Sequence, residues 1–218
     1  AEDGELLFHY TTTIQNHMSY TADKYGADYV YPPVTTTVPL SDEVQTLLEV
    51  YTEGVRDADA MLGRLRDSFA DRSEPVVLVF FGDHLPYLGD NQLGYQELGS
   101  PVALAEEDRE DPFCSYETPY VIWANDAARR VLGADFTGDG GDFSPCFLMT
   151  RLFDACGWAG PGYMQLSRAM RDISPLLHTN GLFLHDGVLT SVLSDTDRSF
   201  YRSWLAVQYY REHVAAYS

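Results

Sequence analysis

The sequence has few basic residues, and this shortage excludes a class of partners. Its 218 residues include 14 lysines and arginines against 33 aspartates and glutamates, which gives a formal net charge of −19 at pH 7. A chain this acidic cannot replace the counterions around nucleic-acid phosphates, and it has no polybasic anchor for an anionic membrane. We therefore expect no nucleic-acid partner. Acidity of this kind also keeps a protein soluble, which is the simplest role for it here.

Cysteines and long apolar runs are scarce as well. The three cysteines, Cys114, Cys146 and Cys156, are far apart and form no CxxC pair, which argues against a disulfide scaffold or a zinc ribbon. No apolar run approaches the roughly 18 residues that span a bilayer, and AEDGELL at the N-terminus is unlike a signal peptide. The sequence thus predicts a soluble chain, one that could also be cut from a longer membrane protein.

Apolar periodicity predicts alternating strands and helices. The clearest element is a helix of residues 42–69, with Ser41 as its N-cap and apolar residues every three or four positions. Strands are predicted at 5–14, 76–81 and 118–125, helices at about 144–156, 163–173 and 199–214, a hairpin at 182–192 turning at Asp186-Gly187, and a long, partly mobile loop at 85–117. This order is typical of an α/β fold, and the apolar run at 76–81 indicates a central parallel strand.

Two of these strands lead into residues that could carry chemistry. The first runs into His17 and the second into Asp83 and His84, and ligands of parallel sheets bind beyond the carboxyl ends of the strands. A carboxylate and an imidazole suit Zn²⁺ or Mn²⁺. Consecutive side chains normally point apart, but Gly82 would permit the turn that brings both to one ion.

Plainer interpretations of these residues also exist. Asp83 and His84 could form a hydrogen-bonded turn, and His17 could be an ordinary loop histidine. The remaining histidines are expected to be structural or on the surface: His9, His178, His185 and His213.

Several segments, taken in order, resemble the lipoteichoic acid synthase-like branch of the sulfatase family, within the alkaline phosphatase superfamily. They are TTTIQNHMSY, VVLVFFGDHLPYLG, ETPYVIWAN and FSPCFLMTRLFDACGW followed by GYMQLSRAMRDISP. The resemblance extends from about residue 5 to 177, and QNH and GDHLP are its most specific parts. The sequence departs from the family pattern at Ser19, where QNHxPY has proline, and in the acidic insert near 105–111.

The resemblance implies a fold. We expect an alkaline phosphatase/sulfatase-like α/β sandwich, with a mostly parallel central sheet flanked by helices and a small C-terminal antiparallel hairpin. Residues 1–218 would form a single partial catalytic domain, with 1–177 as its central α/β part and 178–218 as its hairpin and helix. The N-terminal half of the domain is expected to be missing, because the family's glutamate and nucleophilic threonine long precede QNH, which begins here at residue 15.

The resemblance also implies a function for the parent protein. It would be a phosphoglycerol or phosphoethanolamine transferase on the outer face of the cytoplasmic membrane, anchored by a transmembrane region not present here, and acting on a phospholipid headgroup or an envelope polymer. Asp83 and His84 match the metal-binding pair of the family, and His17 matches a catalytic histidine that contacts the phosphoryl substrate. The expected metal is Mn²⁺, with Zn²⁺ or Mg²⁺ as alternatives.

The nucleophile itself is expected to be a threonine upstream of this chain. Without it, the chain alone should be catalytically silent. Removal of half the domain should also bare an edge of the sheet, so we expect a homo-oligomer formed through that edge.

Two other functions stay open. A sulfatase, which hydrolyses sulfate esters, shares the fold and the Asp-His pair but needs a cysteine or serine nucleophile, and no Cys/Ser-x-Pro-x-Arg motif occurs at the three cysteines. A non-catalytic, degenerate domain that binds an envelope polymer would keep the fold and lose the metal.

Overall fold

The protein is a mixed α/β chain that forms two compact units. The structure, a computed structural model, describes residues 6–214. The first unit contains the described residues up to Ser68 together with Phe81–Tyr120, and the second contains Phe69–Phe80 and the residues from Val121 onward. The expected division near residue 177 stays a prediction.

The described part of the chain has six α-helices and four β-strands. The helices are α1 (Asp42–Ala70), α2 (Leu93–Glu97), α3 (Asp126–Leu132), α4 (Leu148–Ala155), α5 (Gly162–Ile173) and α6 (Asp195–His213). The strands are β1 (Val77–Phe81), β2 (Tyr120–Ala124), β3 (Phe183–His185) and β4 (Val188–Thr190). No helix within residues 6–214 combines the length and the apolar composition that crossing a bilayer requires.

Helix α1 organises the first unit. The Ser41 Oγ accepts a hydrogen bond of 3.3 Å from the backbone N–H of Val44, which confirms the predicted N-cap. Val44 and Leu48 on the apolar face pack with Tyr20 and Leu88 into the core of this unit. The long helix expected from the sequence is therefore confirmed, with bounds one residue from those predicted at its C-terminus.

Strands β1 and β2 pair as a two-stranded sheet. The backbone N–H of Asn125 donates to the Val76 carbonyl, and the N–H of Gly82 donates to the Pro119 carbonyl, both at 3.0 Å. Because the contacts run in opposite order along the two strands, the pair is antiparallel. The mostly parallel sheet expected from the sequence is not found among residues 6–214. An apolar run does not encode strand direction, and β1 is only partly buried.

Residues 85–117 contain more regular secondary structure than predicted. They contain helix α2 and single turns of 3₁₀ helix at 90–92, 101–103 and 106–108. Leu88 is buried in the core of the first unit, and the Arg109 guanidinium donates to the carbonyls of Val102 and Leu104, both at 3.0 Å. The segment therefore contains secondary structure that was not predicted, because a few apolar anchors can fix local turns in a segment rich in glycine and acidic residues.

The strand expected at 5–14 is not found among residues 6–14, and residue 5 lies outside the described residues. The side chains of Leu6, Phe8 and Ile14 are exposed. A β-branched and aromatic composition favours a strand only where a neighbouring strand supplies hydrogen bonds. Within the described part of the chain, this segment has no such neighbour.

Helices α4, α5 and α6 build the core of the second unit around Phe147, Met170 and Trp204. The Trp204 indole N–H donates to the Ser167 Oγ at 3.0 Å. The predicted helices are confirmed, except that a 3₁₀ turn at Pro145–Phe147 precedes α4. Strands β3 and β4 form the predicted antiparallel hairpin.

The turn of this hairpin lies where the sequence placed it. Asp186 and Gly187 both have positive φ angles, of 50° and 74°. Those angles are typical of the tight turns that match the twist of paired strands.

One buried side chain ties the start of this unit together. Asn125 is 1% exposed. Its Oδ1 accepts from the backbone N–H groups of Val76 (3.0 Å) and Ala128 (2.9 Å), and its Nδ2 donates to the carbonyls of Phe69 (3.1 Å) and Glu74 (2.9 Å). The amide therefore joins the last turn of α1, the start of β1 and the N-terminus of α3.

Replacing this amide should strongly destabilise the fold. Asn125→Ala leaves buried N–H and carbonyl groups unpaired and removes a helix cap, so we expect a loss of about 3 kcal/mol in the free energy of unfolding. Urea denaturation measures it. The control is Gln165→Ala, which removes an amide bonded to the single carbonyl of Gly160 and should change stability by under about 0.5 kcal/mol. Equal losses in the two variants would contradict the role of Asn125.

The hairpin histidine should make stability depend on pH. Its Nδ1 bonds the Ile173 carbonyl at 2.9 Å, and this bond, with the carboxylates of Asp186 and Asp197, outweighs burial and raises the pKa of His185. A raised pKa favours the protonated form in the folded state, so its contribution is present below the ordinary value of about 6.5 and is lost as pH rises through the folded pKa.

We therefore expect His185→Gln to destabilise the chain more at about pH 5.5 than at about pH 8.5. Thermal unfolding of both proteins at the two pH values measures the difference. A larger effect of the substitution at the alkaline pH would contradict this assignment.

Candidate functional site

His17 lies in a tight turn of the first unit. The backbone N–H of His17 donates to the Ile14 carbonyl at 3.0 Å, and the Tyr20 hydroxyl donates to the Asn16 carbonyl at 2.9 Å. The ring Nδ1 of His17 lies 2.9 Å from the Met18 carbonyl. Because a carbonyl only accepts hydrogen bonds, Nδ1 must carry the proton, and Nε2 keeps a free lone pair in the neutral ring.

Asp83 and His84 follow β1 and converge. Asp83 Oδ1 accepts from the backbone N–H of His84 at 3.0 Å, and His84 Nδ1 lies 2.7 Å from the Leu85 carbonyl. The same argument as for His17 places the proton on Nδ1. The remaining atoms, Asp83 Oδ2 and His84 Nε2, lie 3.6 Å apart. Since β1 ends at Phe81, these residues escape the alternation that would point them to opposite faces.

Gly82 serves this turn through close packing. Its φ angle is outside the left-handed region, so the conformational freedom expected from the sequence is not what the position uses. A Cβ at Gly82 would lie 3.2 Å from the Cβ of Thr118, whose hydroxyl donates to the Gly82 carbonyl at 2.9 Å. The glycine lets the ETPY segment approach the backbone immediately before Asp83.

The structure brings the three predicted site residues together. The rings of His17 and His84 lie 6.4 Å apart between centroids, at 83° to each other. The side chains of Asp83 and His84 are 77% and 65% exposed, so a ligand can reach them from solvent. Two of the other histidines, His185 and His213, bond backbone carbonyls in the second unit.

The carboxylate and imidazole fit part of a metal site. Two ligands of a tetrahedral ion at ordinary bond lengths lie roughly 3.4 Å apart, close to the 3.6 Å between Asp83 Oδ2 and His84 Nε2. An Nδ1–H held by a backbone carbonyl is also the usual arrangement of a metal-binding histidine. Within residues 6–214, however, no group of three His, Cys, Asp or Glu side chains could hold an ion. A pair of side chains is fewer than the three or more ligands that a protein metal site usually has.

Sequence reasoning missed Lys24, which the structure places beside His17. Its Nζ donates to the carbonyls of His17 and Ser19 and lies 5.1 Å from the centre of the Tyr20 ring. Burial lowers the pKa of Lys24. It is the only lysine in the chain, and a single lysine seven residues after QNH was the signal that could have pointed to it.

The chain belongs to the sulfatase family. Residues 2–157, which include QNH, GDH and the ETPY segment, match the family model described as Sulfatase. The match identifies the family and leaves its branches undistinguished. No solved structure matches the chain significantly.

A similar protein occurs in Rhizobium meliloti (strain 1021), where it carries the provisional name cyclic beta-1,2-glucan modification protein. It is 28% identical to this chain over 159 residues. The aligned part covers 72% of this chain and 23% of that relative. The chain therefore spans about a quarter of the length of the relative it matches.

Substitution of two glycines in α1 can test the contact between this helix and the QNH turn. A Cβ at Gly54 would lie 2.0 Å from the Asn16 Oδ1, whereas a Cβ at Gly63 meets nothing within 4 Å. We expect Gly54→Ala to destabilise the chain by about 1–3 kcal/mol through overpacking and to shift the His17 ring resonances. Gly63→Ala should stabilise it by about 0.5–1 kcal/mol and leave His17 unchanged.

Urea denaturation and NMR spectra of the histidine rings measure both effects. Unchanged His17 resonances in a folded Gly54→Ala variant would show that α1 does not position this turn.

Proposed function

We propose that this chain is part of a metal-dependent enzyme that transfers phosphoglycerol or phosphoethanolamine from a phosphodiester donor to a hydroxyl acceptor outside the cytoplasmic membrane. The observation that carries the proposal is the convergence of Asp83 Oδ2 and His84 Nε2 at 3.6 Å in a chain of the sulfatase family. The carboxylate oxygen and the imidazole nitrogen each offer a lone pair to a cation. Both side chains are exposed to solvent, and each forms a hydrogen bond with the backbone.

Asp83 Oδ2 and His84 Nε2 would hold a divalent cation, for which Mn²⁺ is our first choice and Zn²⁺ or Mg²⁺ the alternatives. Such an ion supplies Lewis-acid polarisation of a phosphoryl oxygen. The backbone contacts of His84 Nδ1 and Asp83 Oδ1 fix the direction in which the two ligands point. These contacts do not depend on other side chains.

His17 acts on the phosphoryl group through Nε2 in this scheme. Its Nδ1–H is held by the Met18 carbonyl, so Nε2 is the atom that gains or releases a proton. In the protonated form, Nε2–H donates to a phosphoryl or leaving oxygen. The Lys24 ammonium, bonded to the His17 carbonyl, positions this turn.

We propose that the complete site includes residues beyond this chain. A glutamate and a nucleophilic threonine would come from upstream segments, and β1 would join a larger, mostly parallel sheet there. Two facts support this: no group of three potential ligand side chains within residues 6–214 could hold an ion, and the aligned part covers 23% of the relative. The isolated chain should then be catalytically silent.

The acceptor we favour is a polymer of the cell envelope. The name of the Rhizobium meliloti relative refers to modification of a cyclic glucan, whose hydroxyl groups are suitable acceptors for a phosphodiester-linked substituent. A phospholipid headgroup is the corresponding donor.

Sulfate ester hydrolysis is the second candidate, because the family model carries the description Sulfatase. Both reactions use a metal and a polarised ester oxygen, so the two ligands found here do not separate them. The nucleophile does, since a sulfatase needs a modified cysteine or serine where a transferase has threonine.

Metal binding provides the first test. We expect the chain to bind Mn²⁺ in isothermal titration, and Asp83→Ala and His84→Ala each to weaken binding at least about tenfold. Asp28→Asn, which removes an exposed carboxylate of the same unit, is the control for unspecific attraction to an acidic chain and should have little effect. Equal Mn²⁺ binding by the wild type and the three variants would contradict the assignment of Asp83 and His84 as metal ligands and would favour a degenerate binding domain.

Activity is tested on the longer natural protein that contains this segment. In Mn²⁺ it should transfer phosphoglycerol from phosphatidylglycerol to an acceptor hydroxyl and release diacylglycerol, and His17→Ala should abolish turnover while Mn²⁺ affinity is retained. Turnover of an aryl sulfate without turnover of the phosphodiester would select the sulfatase alternative. Turnover of either substrate by the isolated 218-residue chain would show that the site needs no further residues.

A further inference from the structure

A cavity in the second unit has a lining that is not explained by the fold or by the proposed reaction. It has a volume of about 260 Å³ and lies among the loop before α4, the helices α4 and α5, and the residues after α5. Its lining residues are Gly140, Asp142, Phe143, Arg151, Asp154, Arg171 and Pro175. Two guanidinium groups and two carboxylates balance each other there, although the whole chain carries a charge of −19.

Two of the four charged lining residues, Asp154 and Arg171, form an ion pair with each other. The Asp154 carboxylate accepts from Arg168 Nε and Arg171 Nη1, both at 2.6 Å. Burial opposes ionisation of this carboxyl, but the hydrogen bonds from Arg171 and Arg168 keep the pKa of Asp154 below its usual value. This pair ties α4 to α5 and forms one fixed wall of the cavity.

The other two charged groups remain available. Arg151 donates from Nε to the Gly140 carbonyl at 3.1 Å, which orients the guanidinium on the cavity wall. Within residues 6–214, the Arg151 Nη groups form no hydrogen bond or ion pair with other protein groups, and neither does the Asp142 carboxylate, which is exposed to solvent. A set of donors and a set of acceptors thus line one cavity without pairing with each other.

We propose that this cavity binds a neutral sugar ring. Each hydroxyl of a sugar both donates and accepts, so one hydroxyl can donate to the Asp142 carboxylate while another accepts from the Arg151 Nη groups. Phe143 and Pro175 offer apolar surface to the C–H face of the ring. An anion would be repelled by Asp142, and a cation by Arg151, because the opposing carboxylate and guanidinium lie on the same cavity.

The volume of the cavity is suited to a single sugar ring. Pockets for drug-sized ligands have volumes of about 300–1,000 Å³, and this cavity is slightly smaller. A single hexose unit, free or at the end of a longer chain, therefore suits it. The binding needs no metal and no transfer chemistry, so this inference can fail while the proposed function stands, and the reverse also holds.

Titration of the 218-residue chain with D-glucose and cellobiose in the presence of EDTA tests the proposal. We expect saturable binding on the order of 1 mM, weak because one ring buries little surface, with NMR shifts at residues 140–143 and 151. Arg151→Gln and Asp142→Asn should each weaken binding at least tenfold. Arg130→Gln, which changes an exposed arginine of the same unit, should leave it unchanged.

Two cavity variants are used so that a loss of sugar binding can be distinguished from a loss of folding. Arg151→Gln loses the contact with Gly140, whereas Asp142→Asn removes no contact of the described structure, so a melting temperature near wild type is expected for the latter. Absence of saturable sugar binding by the folded wild-type chain would overturn the proposal. So would full sugar affinity in both variants, or Arg151-dependent binding of inorganic phosphate in place of sugar, which would assign the cavity to anions.

Discussion

The amide of Asn125 is the interaction on which the start of the second unit depends. A two-stranded sheet is marginally stable by itself, and β1 and β2 have no further partner strand within residues 6–214. Asn125 compensates by bonding the backbone of the last turn of α1, the residue before β1 and the first turn of α3. The amide oxygen accepts hydrogen bonds and the amide nitrogen donates them. A side chain of similar size that lacks either function therefore cannot replace it.

The site is organised by backbone groups in the same way. Carbonyls of Met18 and Leu85 hold the Nδ1 atoms of His17 and His84, which leaves both Nε2 atoms for ligands. Neither imidazole relies on a carboxylate to fix its tautomer. The Asp83 carboxylate accepts the backbone N–H of His84 through Oδ1, which leaves Oδ2 as the oxygen that our proposal assigns to a cation.

Local patterns predicted much of the fold. The periodicity of α1, its Ser41 cap and the Asp186-Gly187 turn depend on neighbours in sequence, and all three are present. The pairing of β1, the secondary structure within 85–117 and the conformation of 6–14 depend on distant partners, and at these three places the described structure differs from the expectation. At the site, the residue types were visible, but the role of Gly82 comes from Thr118, and neither Lys24 nor the balanced cavity around Arg151 has a signature in a short stretch of sequence.

The position of Lys24 has a chemical consequence. Apart from the chain terminus, the protein has one primary amine, and burial eases its loss of a proton. Among side chains, reagents that acylate amines would thus attach only at Lys24, next to the His17 turn. The molecule carries its own attachment site for a fluorescent or crosslinking group beside the residues that we assign to phosphoryl chemistry.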